Sequence, residues 1–143
     1  MIFSFGQLEQ QRIEVDVLGY ERPASGNDWD DNLLAVAIHV RAGGFCGETS
    51  ATVITSELNN FLLELRSLHA SLSGLARFQT MDGRLSFGLA GDGKGHIEVR
   101  GEVKDEHGVG NRLHFKLRFD QSQLGTSIRE LEQVTLQFPV RAA

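Results

Sequence analysis

The sequence predicts an α+β domain: a curved, mostly antiparallel sheet of six to seven strands with two helices packed on it, in the order βββαββββα. Three observations lead there. Apolar and polar residues alternate through a series of short segments, the period of a strand with one buried face. Glycine-rich stretches of hairpin length separate most of those segments, which favours antiparallel neighbours over parallel crossovers. Two longer segments instead repeat their apolar residues at helical spacing.

The first strand is read over Arg12–Gly19, with Ile13, Val15 and Val17 on one face. Pro23-Ala24-Ser25-Gly26-Asn27-Asp28 has the composition of a loop. In the next strand Leu34, Val36, Ile38 and Val40 share a face while Leu33, Ala35 and Ala37 cover the other, the pattern of a central strand. Ala42-Gly43-Gly44 turns the chain into Phe45–Val53, where Cys46 points away from Phe45.

Leu58, Phe61, Leu62, Leu65, Leu68 and Leu72 then form one helical stripe, predicting a helix over 56–73. Thr55 or Ser56 can cap it, Glu57 sits near its positive end, and Gly74 can end it in a left-handed conformation. Strands Ala76–Met81 and Leu85–Ala90 flank the hairpin signal Asp82-Gly83. Gly91–Gly95 leads into Ile97–Val103, and Asp105–Asn111 into Leu113–Phe119. Leu124, Ile128, Leu131, Thr135 and Phe138 predict a second helix over 122–138, ended by Pro139. Gly125 divides its start, so a single turn at Gln121–Leu124 can precede a helix capped by Thr126 or Ser127. The predicted core comprises Val36, Ile38, Leu62, Leu65, Phe87, Leu89, Val99, Phe115, Leu117, Leu131 and Phe138.

At 143 residues, 41% hydrophobic and 23% charged, the chain reads as a single domain spanning 1–143 that needs no disulfide or metal to fold. Cys46 is the one cysteine, so no internal disulfide forms and nothing argues for an oxidising compartment. The first residues are too short an apolar run for a signal peptide, and no run reaches the ~18 residues of a membrane span. The expected location is the cytoplasm. The net charge is −5, unevenly spread: residues 1–75 hold 10 acidic and 4 basic residues, and residues 76–143 hold 9 and 10. The acidic first half argues against direct nucleic-acid binding. It fits either an ordinary acidic surface or a basic protein partner drawn in by electrostatic steering.

No motif carries a cofactor or a reaction. Gly91-Asp92-Gly93-Lys94-Gly95-His96 resembles a phosphate loop, yet Lys94 is not followed by Ser or Thr, and the loop runs into a strand instead of a helix. A calcium loop begun at Asp28 would need Gly at position 33 and Glu at 39; Leu33 and His39 stand there. His39, His69, His96, His107 and His114 show no zinc-ligand spacing, and Cys46 offers the only thiolate. His96 and Asp92 read as a turn-stabilising pair. Glu98 and Glu102, each two residues from Arg100, read as a charge-balanced solvated face. No Gly-x-Ser-x-Gly elbow is present, and Cys46 with a distant histidine is the one cysteine nucleophile on offer. The remaining feature is Asp28-Trp29-Asp30-Asp31, acidic residues around the only tryptophan. It is either a solvated acidic loop or a binding loop with Trp29 as a hot spot amid steering charge.

Several stretches in order carry a resemblance. They are Val17-Leu18-Gly19-Tyr20-Glu21, Asp30-Asp31-Asn32-Leu33, Ala42-Gly43-Gly44-Phe45 with Gly47, Gly91-Asp92-Gly93-Lys94-Gly95-His96-Ile97-Glu98-Val99, Asp120-Gln121-Ser122-Gln123-Leu124, and Phe138-Pro139-Val140. Over roughly Val15 to Val140 the chain resembles the WapI-like family of small bacterial proteins. The resemblance implies immunity: occlusion of the toxic domain of a contact-delivered toxin, some of which cleave tRNA, by a protein that needs no catalytic residue. The expectation is therefore a non-enzymatic cytoplasmic protein-binding module without cofactor, with Asp28, Trp29, Asp30 and Asp31 as its partner-binding residues. Two other classes stay open on the residues alone. One is a small-ligand or enzymatic domain with a site assembled across the sheet; the other is a homo-oligomeric structural protein.

Overall fold

Among the described residues, alternation with a period of two produces eight strands, one more than the longest count expected from the sequence. The computed structural model describes residues 1–7, 10–106 and 109–141. Along the chain run β1 (Ile2–Gln7), β2 (Gln11–Tyr20), β3 (Leu33–Ala42), β4 (Phe45–Ile54), α1 (Thr55–Ser71), β5 (Ser73–Gln79), β6 (Leu85–Asp92), β7 (His96–Lys104), β8 (Arg112–Asp120) and α2 (Leu124–Gln137). Single 3-10 turns at Asp30–Asn32 and Gln121–Gln123 precede β3 and α2.

The strand missed from the sequence is β1. Ile2, Phe3, Ser4 and Phe5 alternate, but so short a segment offers little to a periodicity argument. Its partner decides it: Phe3 lies opposite Val15 and Phe5 opposite Ile13 in an antiparallel ladder with β2. Both phenylalanines are fully buried.

The expected single curved sheet is instead two four-stranded antiparallel sheets, ordered β1-β2-β3-β4 and β5-β6-β7-β8. The cause is α1. It follows β4 directly, so the chain leaves the edge of the first sheet before β5 begins. Each meander then closes locally through hairpins, and each has a single apolar face to bury. The two faces, with α1 and α2, enclose one continuous core. At its centre Phe3 and Phe5 of β1, Phe61 of α1, Phe78 of β5 and Phe87 of β6 meet with ring centroids 5.1–6.2 Å apart, mostly edge to face. Such pairs each contribute about 0.5–1.5 kcal/mol beyond area burial. Of the expected core residues, Phe138 alone is only partly buried.

Gly101 in β7 shows how tightly this core closes. A Cβ there would lie 2.6 Å from Phe115 Cζ, from Phe87 Cβ and from the Ser86 carbonyl oxygen. Two aromatic neighbours and a backbone atom leave no direction of escape.

The helix ends differ from expectation. Neither Thr55 nor Ser56 caps α1: Ile54 occupies the cap position without a side-chain bond, and Thr55, buried, turns its hydroxyl to Asn32 Oδ1 (2.8 Å). At the other end Leu72 is the residue that ends the helix in a left-handed conformation, with φ 61°, while Gly74, already in β5, has a positive φ of its own at 102°. A leucine is held there because both its backbone groups are bound. Its amide donates to the Leu68 carbonyl and its carbonyl accepts from Gly93, each at 2.8 Å. The Leu72 oxygen would be 2.4 Å from a Cβ at position 91, so the close docking of α1 on β6 requires Gly91. The last helix continues from the 3-10 turn without a new cap at Thr126 or Ser127. Asp120 caps the turn by accepting from the Ser122 amide at 2.9 Å.

Each of the four edge strands has at least one backbone group bound from another part of the chain. On β1, Glu130 Oε1 accepts from the Ser4 amide (3.0 Å) and hydroxyl (2.9 Å), and the Ser127 hydroxyl donates to the Ser4 carbonyl. On β4, the Thr52 carbonyl accepts from the Met81 amide (2.8 Å) and the Ser50 carbonyl from Arg84 (2.9 Å). Glu64 accepts from the Arg77 amide of β5 at 3.2 Å, and Gln11 from the Arg118 amide of β8 at 2.8 Å. These contacts oppose the edge-to-edge pairing that free strands invite.

Three expectations follow. Gly101→Ala should cost about 1–3 kcal/mol in denaturant unfolding, whereas Gly88→Ala, whose Cβ would meet its nearest atom at an ordinary 3.4 Å, should change little. Glu130→Ala should cost about 1–3 kcal/mol, because it strips the Ser4 amide of its partner; an unchanged midpoint would show that water replaces it freely. In the β6–β7 turn Asp92 accepts from the Lys94 and His96 amides and meets His96 Nδ1 at 2.7 Å. Chiefly through that His96 contact its carboxyl is lowered from 3.8 to about 2. Its contribution to stability is therefore fully present above pH 3.8 and lost as the pH falls toward about 2. A carboxyl-detected NMR titration should show the low midpoint, and His96→Ala should raise it.

Candidate functional site

The loop between β2 and β3 is built by its own polar side chains. Asn27 Oδ1 accepts from the amides of Trp29 (3.0 Å) and Asp30 (3.1 Å), an Asx turn that starts the 3-10 turn. Asp31 faces inward and is only 3% exposed. Its carboxylate accepts from the Ser25 amide and hydroxyl, both at 2.8 Å, and from the Gly26 amide at 2.9 Å. The Ser25 amide is the main reason that its carboxyl is held below the usual range; burial opposes this, while the Ser25 hydroxyl, the Gly26 amide and the charge of Arg141 add to it. The sequence groups Asp31 with Asp28, Trp29 and Asp30. The structure gives it a different position, inside the loop and holding its shape.

The other three residues are on the outside. Trp29 is 57% exposed. Asp28 is exposed, and Asp30 forms an ion pair with Arg22 at 3.2 Å. The loop therefore presents a large apolar ring between two carboxylate-bearing positions.

Behind the loop is a cluster that the sequence did not reveal. Asn32 is 6% exposed and makes four bonds. Its Nδ2 donates to the carbonyls of Asp28 (2.6 Å) and Arg141 (2.9 Å). Its Oδ1 accepts from the Thr55 hydroxyl (2.8 Å) and the Arg141 amide (2.7 Å). One side chain thus ties the loop to the start of α1 and to the segment after α2. Tyr20 completes the cluster: its ring meets Phe138 edge to face at 5.8 Å, its hydroxyl donates to the Pro139 carbonyl, and the Arg141 guanidinium lies 3.4 Å from its centroid.

A β-bulge puts Tyr20 there. Pairing of β2 with β3 runs Val17 to Val36 and then Gly19 to Ala35 and Tyr20 to Leu34, skipping Leu18. The extra residue returns Tyr20 to the face that carries Leu34, the buried face. Even alternation from Val17 would have placed Tyr20 on the outer face. In the sequence Asn32 merely follows the acidic residues and Phe138 belongs to the helical stripe that Pro139 ends, and nothing in the spacing links Arg141 to either.

The remaining sequence candidates are dispersed. Cys46 is exposed on β4 and shares a depression of about 300 Å³ with His39, but His39 directs Nδ1 to Glu48 at 3.2 Å. A 570 Å³ depression on the second sheet contains Asp92, His96, Glu98 and Arg118. There Asp92 serves the turn, while Glu98 receives Arg100 (2.6 Å) and Arg118 (3.4 Å), which keep its carboxyl below the usual range. A neighbouring groove of about 650 Å³ combines Arg77, Arg100 and His114 with Glu57, Glu64 and Glu102. Neither lining brings a serine, threonine or cysteine nucleophile into hydrogen bonding with a base. Among the described residues no set of three or more His, Cys, Asp or Glu is gathered for a metal, and no helix is long and apolar enough to cross a membrane. His107 lies outside the described residues.

Two solved structures share the fold. The chain superposes on the crystal structures of Trypanosoma brucei MRP1/MRP2 with a TM-score of 0.50 at 11% identity, covering 96% of this chain and 86% of that one. For the plant transcriptional regulator PBF-2 the TM-score is 0.52 at 12% identity, covering 96% and 81%. At such identities the likeness concerns the fold alone. Comparison with curated proteins finds no match. The model of the immunity protein WapI-like family, in contrast, matches residues 3–139. That span runs from Phe3 of the central cluster through the acidic loop to Pro139, and the chain belongs to the WapI-like immunity protein family.

Proposed function

We propose that this chain is a cytoplasmic immunity protein that binds and occludes a basic bacterial toxin domain, most specifically a nuclease, with Asp28, Trp29 and Asp30 in the contact surface. Family membership implies a protein partner in general. The single observation that supports this loop is the exposed Trp29 between Asp28 and Asp30 on a turn held by hydrogen bonds from Asn27. An aromatic ring fixed in place gives contact area at little entropic cost, while flanking carboxylates steer a basic partner. A nuclease must present a basic face to RNA or DNA, so an acidic inhibitor can compete for it. Asp31 belongs to the proposal as the residue that shapes the loop, since its carboxylate is already bound to Ser25 and Gly26.

The test is affinity capture from the source cells at low and high salt, followed by kinetics on the recovered partner. A stoichiometric basic partner released by salt is expected. The double variant Asp28→Asn, Asp30→Asn should then associate about tenfold more slowly at low salt, with a weaker salt dependence. Unchanged association would remove the loop from the interface.

A further inference from the structure

A binding loop gains affinity when it is held in its bound shape before the partner arrives, and the contacts around loop 21–32 show what holds it. Apart from Trp29 the twelve residues of this loop are polar or small, and no large apolar side chain but Trp29 offers to anchor them. Instead the loop is fixed at three points. Asp31 ties its first half through Ser25 and Gly26. Asn32 ties its second half to Thr55 and Arg141. The Arg141 side chain reaches its beginning, donating from Nη1 to the Arg22 carbonyl at 3.2 Å.

We infer that Arg141 is a positioning residue for the proposed binding loop, joining both ends of loop 21–32 to the Tyr20 platform so that Trp29 and Asp28 are presented in one geometry. The purpose rests on the binding reading above; the contacts and the test do not. The backbone of Arg141 exchanges two hydrogen bonds with Asn32 at the end of the loop. Its guanidinium covers the Tyr20 ring at 3.4 Å while holding the Arg22 carbonyl at the start. Only a planar cation does both at once: it stacks through its face and donates through its edge, which a lysine ammonium cannot reproduce. The same charge acts on the carboxylate of Asp31. Glu21, Arg22, Asp28 and Asp30 share the loop and are unaltered in the variants below.

Trp29 is the only tryptophan, so its fluorescence reports on the loop without any partner. Wild type, Arg141→Ala and Arg141→Lys are compared by acrylamide quenching, by hydrogen exchange of the Ser25 and Gly26 amides, and by the acid midpoint of the Trp29 signal. For Arg141→Ala, quenching should increase and those two amides should exchange about tenfold faster, while the amides of β3 and β7 keep their rates. Loss of the cation also lets Asp31 take up a proton more easily, so the midpoint should move upward in pH toward 3.8, its ordinary value. Arg141→Lys should keep the wild-type midpoint, because the charge remains, yet show the faster exchange, because the fork is lost. Wild-type quenching, exchange and midpoint in Arg141→Ala would overturn the assignment. So would equal acceleration of the β3 and β7 amides, which would make Arg141 a contributor to global stability only. Because no partner is used, a failure here leaves the charge-neutralisation test of the binding reading standing, and the reverse also holds.

Discussion

The fold depends on the contact of Phe3 and Phe5 with Phe61, Phe78 and Phe87. These five rings come from the first strand, the first helix and two strands of the second sheet, so they join both sheets and α1 at one place. Neither sheet could stand alone, since each has one apolar face that must leave water. Edge-to-face aromatic packing also restricts how the sheets can slide, because a ring held against neighbours at different angles tolerates little displacement. Gly101 belongs to the same constraint: its missing side chain is the space that Phe87 and Phe115 occupy.

From that core the charged surface follows by elimination. Strand alternation sends the acidic and basic residues outward, and on the second sheet they neutralise one another in register. Glu98 faces Arg118 across β7 and β8, and Glu102 lies 3.6 Å from Lys104. Shallow depressions there contain ion pairs already matched within the face. The β2–β3 loop differs. Its inward carboxylate, Asp31, is held by local hydrogen bonds, and Asp28 and Trp29 are exposed. The excess negative charge of the first 75 residues thus includes one aspartate with a structural duty and others at the surface.

The residues reveal much of this in advance. Even alternation in β3 and β8, the helical stripe of α1 and the turns at Gly43-Gly44 and Asp82-Gly83 each follow from local chemistry, and there the structure agrees. What the sequence hides is non-local. Phe3 and Phe5 declare a strand only through Val15 and Ile13 opposite them. One sheet or two depends on whether β5 returns to the edge of β4, and α1 takes it elsewhere. Leu72 ends α1 in a left-handed conformation, two residues before Gly74, and Gly93 binds its carbonyl from another hairpin. For the site, the composition of Asp28–Asp31 was visible, but the burial of Asp31 and the role of Asn32 were not. The first follows from the fold of the loop back onto Ser25 and Gly26, and the second from the arrival of Arg141 from the far end of the chain.

The central functional claim is that the partner approaches the face marked by Trp29. The most direct measurement replaces that residue with a photo-crosslinking one, Trp29→p-benzoylphenylalanine, and irradiates the source cells, with Lys116→p-benzoylphenylalanine on the outer face of β8 as the comparison. A covalent adduct between position 29 and one basic protein is expected, and none from position 116. An adduct from position 116 with none from position 29 would place the partner on the second sheet and contradict the claim.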